Sequence, residues 1–545
     1  MPREVDYLII GAGSAGSVVA GRLSERNCGS VCVLEAGPRD WHPSIHVPAA
    51  VVYALGNPRI NWMYPTRPHW GTAGRELIQS RGKTLGGSGS INGHIYTRGH
   101  RSDFDGWAAL GNPGWSYADL LPYFRRNEAA INIGDDLYRG REGPFTITAM
   151  AEAEPLCEAF MKAAETLGIP RNPDYNGATQ EGISYVQRSI LRGRRVSPAR
   201  AFLYPAMRRG NTEVLTDATV TRVLFEGRRA IGATFVRQGV EETIRARKEI
   251  ILCAGSIATP QLLQVSGVGA PDLLGGIGVP VVHALPGVGE NLCDHYAARI
   301  VFRIREARTI NERTRGPPLL GEIIRYAAFR RGALALTPTL VYCFWKSDPA
   351  LPHGDIQVSF TPASYPSGIW SGLDRFPGAT MACWQQRPKS RGHVHALSSD
   401  MRVFPDFFPN YLGEAEDQAT VTAAMRLARQ IAGQPPFAAF VEREDWPGPD
   451  AASDDALITH ARETGNTTYH PIGTCRMGRA DAPGSVVGPD LRVHGMEALR
   501  IADCSIIPTM PAANTNAVAL LIGEKAADLV LGRSPLAPAQ VPPAG

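Results

Sequence analysis

Three groups of residues in this chain have types and spacings that can do chemistry. Near the start, Gly11, Gly13 and Gly16 form G-x-G-x-x-G, and Glu35 lies 24 residues after Gly11. Glycines so spaced allow a tight turn, let a pyrophosphate approach the backbone, and let a helix pack on its strand. The N–H groups and positive dipole end of that helix then face the phosphates. A carboxylate at Glu35 can accept hydrogen bonds from ribose hydroxyls and would repel a 2′-phosphate, which fits FAD or NAD and disfavours NADP. The second group is Gly86, Gly87, Ser88, Gly89 and Ser90, inside "SRGKTLGGSGSINGHIYTRG". Its backbone N–H groups can wrap phosphate or ribityl oxygens. The third is one ring, His470, in "NTTYHPIGTCRMG". Imidazole titrates near 6.5 and suits proton transfer around neutral pH, although a histidine standing alone is more often a hydrogen-bonded structural residue.

The elements that must position these residues can be read from apolar runs and turn signals. A strand over Tyr7–Ile10 leads into the glycines, a helical pattern runs through Leu23, and "VCVLEAG" is a second strand ending in Glu35. Strand, glycines, helix, strand and acid in that order mark a dinucleotide site. A further strand, Ile250–Cys253, meets Ala254-Gly255, and Pro260 predicts a helix starting near Thr259-Pro260. "LRIADCSIIPTMPAANTNAVALLIGEKAADLVLG" predicts a strand, a loop and an amphipathic helix. "DIQVSF" and "TMACWQQRP" are strand-like and suit a sheet roofing a cofactor; "FRIREARTINERTRGPP" predicts an exposed loop and helix. Among the other histidines, His460 falls in a polar helical run and is expected at the surface. His393 and His395 alternate on a strand and should share one face. His295 is expected to shape a loop through Asp294 or the backbone. Tyr342, Phe344, Trp345, Phe360, Tyr365 and Trp370 are expected to be core for the most part, with some walling a pocket.

Bulk properties bound the rest. A chain of 545 residues is too long for one ordinary core, so two domains are expected. Apolar residues at 44% and charged residues at 20% suit a packed protein. A net charge of +4, with no basic run interleaved with aromatics, argues against a nucleic-acid partner. No apolar stretch reaches the roughly 18 residues of a membrane span. "MPREVDYLIIGAGSAG" predicts no signal peptide. Nine dispersed cysteines without CxxC predict free thiols and a cytoplasmic location, and no clustered Cys/His set is visible for a metal.

With these motifs quoted, the chain resembles the glucose-methanol-choline (GMC) oxidoreductases over nearly its whole length, most closely the choline dehydrogenase-like branch. Gly82–Tyr96 and Gly255–Gly269 match the two signature segments, and "GVGENLCDH", "SRGHV" and "YHPIGTCRMG" match the family's wording. The resemblance implies an α/β fold: a Rossmann-like FAD-binding domain over 1–40, 75–150, 213–297 and 458–535, and an α+β substrate domain with an antiparallel sheet over 151–212 and 298–457. Residues 536–545 are expected to be a disordered tail. It implies that Gly11, Gly13, Gly16 and Glu35 hold the ADP half of FAD, and Gly86, Gly87 and Asn92 the pyrophosphate and isoalloxazine side. The backbone of Val220 would meet adenine, while Asp503, Asn514 and Thr515 would border the ribityl chain and flavin. Ser14, Ala15, Ala36, Trp62, Ser90, Gly93, Ala254 and Gly255 are expected in the same site. Ile91 stands where some relatives carry a FAD-linking histidine, so FAD is expected to be noncovalent; His94 is nearby but off that position.

In the family the histidine of "YHP" is the catalytic base, and its partner lies about 44 residues later, which here is Asn514. Asn516 is the runner-up, and nothing but the spacing distinguishes the two asparagines. The implied activity is FAD-dependent oxidation of a primary alcohol (choline-like, aromatic, furanic or benzylic) to the aldehyde, in a monomer or homodimer. Electrons would pass to oxygen or a quinone-type acceptor, and Thr468, two residues before the base, leaves both acceptors open. A hydroxynitrile lyase-like flavoprotein is the alternative.

Overall fold

The structure, a computed structural model, describes residues 3–25, 28–150, 152–366 and 372–542. Its first sheet grows around the strand Arg3–Ile10, whose last four residues are the apolar Leu8–Ile10 and Tyr7, all buried. Val31–Leu34 and Val240–Leu252 pair with it in parallel on its two sides. Thr212–Leu215 continues the sheet beyond Val31–Leu34, and Leu499–Ile501 pairs with the carboxyl end of Val240–Leu252. An antiparallel hairpin, Ala218–Glu226 and Arg229–Arg237, completes the seven strands. Strands covered on both faces read as continuous apolar runs, which is why Val31–Leu34 is "VCVL" without alternation.

The helix Ser14–Ser24 packs on this sheet beside the late helix Asn516–Val530. The late helix was expected to be amphipathic. It is instead buried on all sides from Ala517 to Asp528. Its one buried acid in mid-helix, Glu524, is neutralised by Arg22 and Arg126, at 2.8 Å each. The helix after Ala254 starts at Gly255, four residues before the expected Thr259, so Pro260 lies inside it. A proline there leaves the carbonyl four residues earlier without its helical donor. That carbonyl, on Ser256, accepts from the hydroxyl of Thr474 at 2.7 Å.

The second sheet is antiparallel. Gly182–Tyr185, Val341–Trp345, Ile356–Thr361, Gly378–Gln385, Tyr296–Ile304 and Val441–Trp446 lie in that order, and Asn466–Thr467 pairs with the start of Tyr296–Ile304. Phe302–Ile304, expected in an exposed loop, are therefore the end of a strand, with Phe302 and Ile304 buried, and the helices Ile310–Arg313 and Gly316–Phe329 follow. Alternation divides the sheet's faces. Ala298, Ile300, Val358, Phe360, Met381 and Cys383 enter a core shared with the helices Pro155–Glu165 and Ala415–Ala432. Their neighbours Ala297, Arg299, Ser359, Thr380, Ala382 and Trp384 face a cavity instead. Of the expected aromatics, Phe360 stacks on Phe160 in the core, Tyr342 and Tyr365 line the cavity, and Phe344 packs behind Tyr342. Trp370 lies outside the described residues.

His460, expected at the surface, is 8% exposed and bonds to the carbonyl of Arg299 at 2.8 Å. Residues 536–542 of the expected disordered tail form no helix or strand. Yet Ala539 donates to the carbonyl of Ala118 at 2.8 Å, and Leu536 and Val541 pack on the first core. No helix among the described residues is long and apolar enough to cross a membrane.

Candidate active site

Four parallel strands of the first sheet end at the same place, and a chemistry-bearing residue follows each: Gly11 after Ile10, Glu35 after Leu34, Gly255 after Leu252, Asp503 after Ile501. Ligands of open α/β sheets bind outside such carboxyl ends. A cavity of about 1180 Å³ opens there, between the first sheet and the cavity face of the second. That is more room than a small alcohol needs by itself.

Backbone geometry shows why glycines are required. Gly11 has φ +103°, and a Cβ on it would lie 2.5 Å from the Cys253 carbonyl oxygen. A Cβ on Gly16 would lie 2.0 Å from the Gly11 carbonyl oxygen, and one on Gly87 2.7 Å from the Cα of Gly13. The second glycine loop thus rests on the first, tied by the Gly86 N–H to the Ala12 carbonyl at 2.8 Å. Gly13 differs: a Cβ there meets nothing in the protein nearer than 3.8 Å, so its space faces the cavity. No side chain caps the helix that starts at Ser14, and its first turn holds no acid.

Most of the expected cofactor residues line this cavity: Gly11, Gly13, Ser14, Ala15, Glu35, Ala36, Trp62, Gly87, Asn92 and Gly93, then Val220, Ala254, Gly255, Asp503, Asn514 and Thr515. Gly16, Gly86 and Ser90 are not brought to its wall. Gly16 is the helix–strand contact, Gly86 is a turn at φ +85°, and the Ser90 hydroxyl is spent on the Leu85 carbonyl at 2.6 Å. Glu35 accepts from the N–H groups of Ala12 and Gly37, both at 2.9 Å, and burial pushes its carboxyl up to about 7. Asp503 receives the Gly255 N–H at 2.8 Å and the Thr259 hydroxyl at 2.6 Å.

His470 stands at the other end of this cavity chemistry, on the loop after Asn466–Thr467. The loop wraps around Asp294 and His295. Tyr469 takes φ +68°, its carbonyl held by Arg81 at 2.6 Å, and the His470 N–H donates to Asp294 Oδ1 at 2.8 Å. Asp294 Oδ2 also accepts from Tyr411 and Thr467, at 2.5 and 2.7 Å. His470 Nε2 lies 3.1 Å from Asn514 Nδ2, so the amide donates and Nε2 carries the lone pair. Asn514 is itself oriented: Thr97 donates to its Oδ1 at 3.0 Å, and its amide reaches the Tyr342 oxygen at 3.3 Å. The runner-up Asn516 has its Oδ1 taken by the Ser14 hydroxyl at 2.8 Å.

His295 makes the bonds expected of it, its backbone N–H donating to Asp294 Oδ1 at 2.9 Å and its ring reaching a backbone carbonyl, and it also touches His470. His295 Nε2 lies 2.7 Å from the Gln386 carbonyl, which only an N–H can satisfy, so its Nδ1 is an acceptor. That Nδ1 is 3.0 Å from His470 Nδ1, which must therefore carry a proton. The Thr468 hydroxyl lies 2.8 Å from the same nitrogen. Burial pushes His295 down to about 4 and holds His470 well below the usual histidine range, with His295 and Arg81 adding repulsion of a second charge. Both rings are thus neutral near pH 7. Nothing in the sequence ties residue 295 to residue 470; the pairing of Tyr296 with Thr467 and of Cys293 with Ile472 brings them together.

His393 and His395 do share a face, with rings stacked at 4.0 Å, but they are absent from the cavity wall. Folding brings Asp406 to them, with ligand atoms within 4.8 Å, a grouping the sequence did not reveal. Asp406 is already paired with Arg67, and His395 with Glu290 at 2.5 Å.

The chain belongs to the GMC oxidoreductase family: the family's N-terminal model matches residues 5–297 and its C-terminal model 388–523. It is 37% identical over 545 residues to the oxygen-dependent choline dehydrogenase of Photobacterium profundum, covering 99% of this chain and 95% of that one. It is likewise 37% identical over 536 residues to a Pseudomonas putida protein named alcohol dehydrogenase (acceptor), covering 98% and 96%. The crystal structure of pyridoxine 4-oxidase from Mesorbium loti superposes with a TM-score of 0.86 at 31% identity, covering 96% of this chain and 98% of that one. FAD is the cofactor of the family. The residues fit it: an uncapped helix start and open space at Gly13 for a pyrophosphate, Glu35 at a strand tip for a ribose, and volume left beside His470.

Proposed function

We propose that His470 is the catalytic base and Asn514 the alkoxide-positioning residue of an FAD-dependent oxidation of primary alcohols to aldehydes. The observation that carries this reading is the neutral, singly oriented imidazole whose Nε2 lone pair meets the Asn514 amide at 3.1 Å on the cavity wall. Gly11, Gly13, Ser14, Ala15 and Glu35 would hold the ADP half of FAD, and Gly87, Asn92, Asp503 and Thr515 its flavin side. Bound flavin supplies the acceptor for the hydride that leaves the alcohol carbon.

An alcohol is a poor hydride donor until its O–H proton departs. A hydroxyl placed between His470 and Asn514 replaces their mutual hydrogen bond, gives its proton to His470 Nε2, and keeps the Asn514 N–H on its oxygen. His470 Nδ1–H stays bonded to His295 and Thr468, so the ring does not turn as its charge changes. Cofactor attachment is noncovalent in this reading: Ile91 presents a hydrocarbon to the cavity, and His94 is buried off the wall against the Pro48 carbonyl at 3.3 Å. Acid precipitation should release all the FAD into solution. Electrons then leave to oxygen or to a quinone-type acceptor, and peroxide formed on admitting air distinguishes them. Nine free cysteines favour a reducing, cytoplasmic setting.

Anaerobic mixing with alcohols tests the chemistry. Substrates should bleach the flavin, and His470→Ala should slow bleaching on the order of 10²–10⁴-fold. Unchanged reduction in that variant would remove His470 from the role of base.

A further inference from the structure

We propose that the substrate end of the cavity is an anion subsite built on Arg299, and that the preferred substrates are primary alcohols bearing a carboxylate. This rests on the alcohol-oxidation reading above and adds a substrate class to it.

Strand alternation sends Ala297 and Arg299 to the cavity while Tyr296, Ala298 and Ile300 enter the core. Arg299 is 5% exposed. Its guanidinium lies over the rings of Tyr365 at 4.6 Å and Trp446 at 5.6 Å. Among the described residues it has no ion-pair partner and no side-chain hydrogen bond, and its Nη1 is fully buried without a partner. Residues 367–371, outside the described set, are Ser-Gly-Ile-Trp-Ser and contain no carboxylate. A buried cation is costly unless it is paired. Among the described residues no carboxylate pairs with it, and Arg299 lines the cavity, from which a pairing group can reach it.

The charges on the cavity wall agree. Its only acids among the described residues, Glu35 and Asp503, stand at the strand ends of the cofactor side and already receive backbone N–H groups. The wall's cations are Arg75, Arg81, Lys83, Arg299, Arg315 and Arg402, of which Arg75 and Arg81 are held by the backbone carbonyls of Gly465 and Tyr469. A quaternary ammonium alcohol needs a carboxylate or an aromatic cage free of positive charge. Here a guanidinium already lies over the Tyr365 ring, at 4.6 Å. The name of the choline dehydrogenases, which are similar to this chain, therefore does not carry over to its substrate.

Reach is sufficient. Four residues of strand, about 13 Å, separate His295, which touches the base, from Arg299 on the same face. The arginine side chain and a ring-sized alcohol together close that span. A flat, bidentate guanidinium is matched to a carboxylate.

The FAD-loaded enzyme can be titrated with 4-methylbenzoate and 4-methylbenzamide, following the flavin spectrum. Anaerobic flavin reduction is measured in parallel with 4-(hydroxymethyl)benzoate, 4-(hydroxymethyl)benzamide and choline. The carboxylates should bind and react better than the amides by roughly 10- to 150-fold, and choline should be the poorest. Arg299→Gln should erase the acid-over-amide ratio, and Arg299→Lys should restore part of it. Choline as the best substrate, or a ratio unchanged in Arg299→Gln, overturns the subsite. If Arg299→Gln does not fold, the wild-type ratio decides: acid no better than amide overturns it. If no alcohol bleaches the flavin but 4-methylbenzoate still binds through Arg299, the alcohol reading fails and the subsite stands.

Discussion

The working state of His470 is set by a relay of single hydrogen bonds. The Gln386 carbonyl forces the proton of His295 onto Nε2, His295 Nδ1 then takes the His470 Nδ1–H, and the lone pair at His470 Nε2 is left facing the Asn514 amide, where the proposed mechanism places the alcohol. The folded ring resists protonation, so the active, neutral form persists as pH falls. Flavin reduction plotted as kcat/KM should rise with pH along a limb lying below pH 6.5, the ordinary histidine value, and be flat above it. His295→Ala removes the acceptor and admits water. It should slow reduction on the order of 10- to 100-fold, the range for partners that orient a working ligand, and move the limb up towards 6.5. His295→Asn, which keeps an acceptor near Nδ1, should recover part of both. A limb unmoved in His295→Ala would make that residue structural only. At this scale the sequence is legible where chemistry and wording coincide: His470 and Asn514 stand out by residue type and spacing. His295 and Arg299 do not, because each is defined by a face of one strand and by groups more than 60 residues away, such as Gln386 and Tyr365.

At the scale of elements, the two glycine loops make different demands on the same residue type. Gly16 and Gly87 are glycine because protein backbone approaches them; Gly13 is glycine although no protein atom crowds it. These demands separate in experiment. Gly16→Ala drives a methyl against the Gly11 carbonyl and should lower the thermal midpoint of FAD-free protein as well as its FAD content. Gly13→Ala should leave the FAD-free midpoint unchanged and cut FAD affinity at least tenfold, read by titrating apoprotein and following flavin fluorescence. Equal FAD affinity in Gly13→Ala and wild type would mean that the pyrophosphate does not cross Gly13. Element existence could be read ahead from the apolar runs, since Arg3–Ile10, Val31–Leu34 and Ile356–Thr361 lie where such runs stand. Element ends were harder. Pro260 is a sound start signal taken alone, and its place inside a helix depends on Thr474, 218 residues away, capping the Ser256 carbonyl. The late helix lost its expected polar face because Arg22 and Arg126 pair Glu524 from outside it.

Across the whole molecule, two cores packed under separate sheets meet at a cavity whose walls draw on residues from Ile10 to Ala519. Two sheets were readable from the chain, one from glycine-punctuated apolar strands and one from alternating strands. Their facing could not be read, since it depends on the pairing of Tyr296–Ala297 with Asn466–Thr467, which stitches the loop carrying His470 to the second sheet. A cofactor held between such walls couples their unfolding. Free FAD at 100 times its dissociation constant stabilises by about 2.7 kcal/mol. Spread over the unfolding entropy of all 545 residues as one cooperative unit, this raises the midpoint by about 2 °C. If only the first sheet's core melts cooperatively with the cofactor, the same energy acts on roughly half the chain and the shift approaches about 5 °C. Calorimetry of apoprotein with and without that excess of FAD measures the shift. A value near 2 °C in a single transition shows the two cores unfolding together. Two transitions, with only one moved by FAD, would show that the cavity joins the sheets in space without joining them in stability.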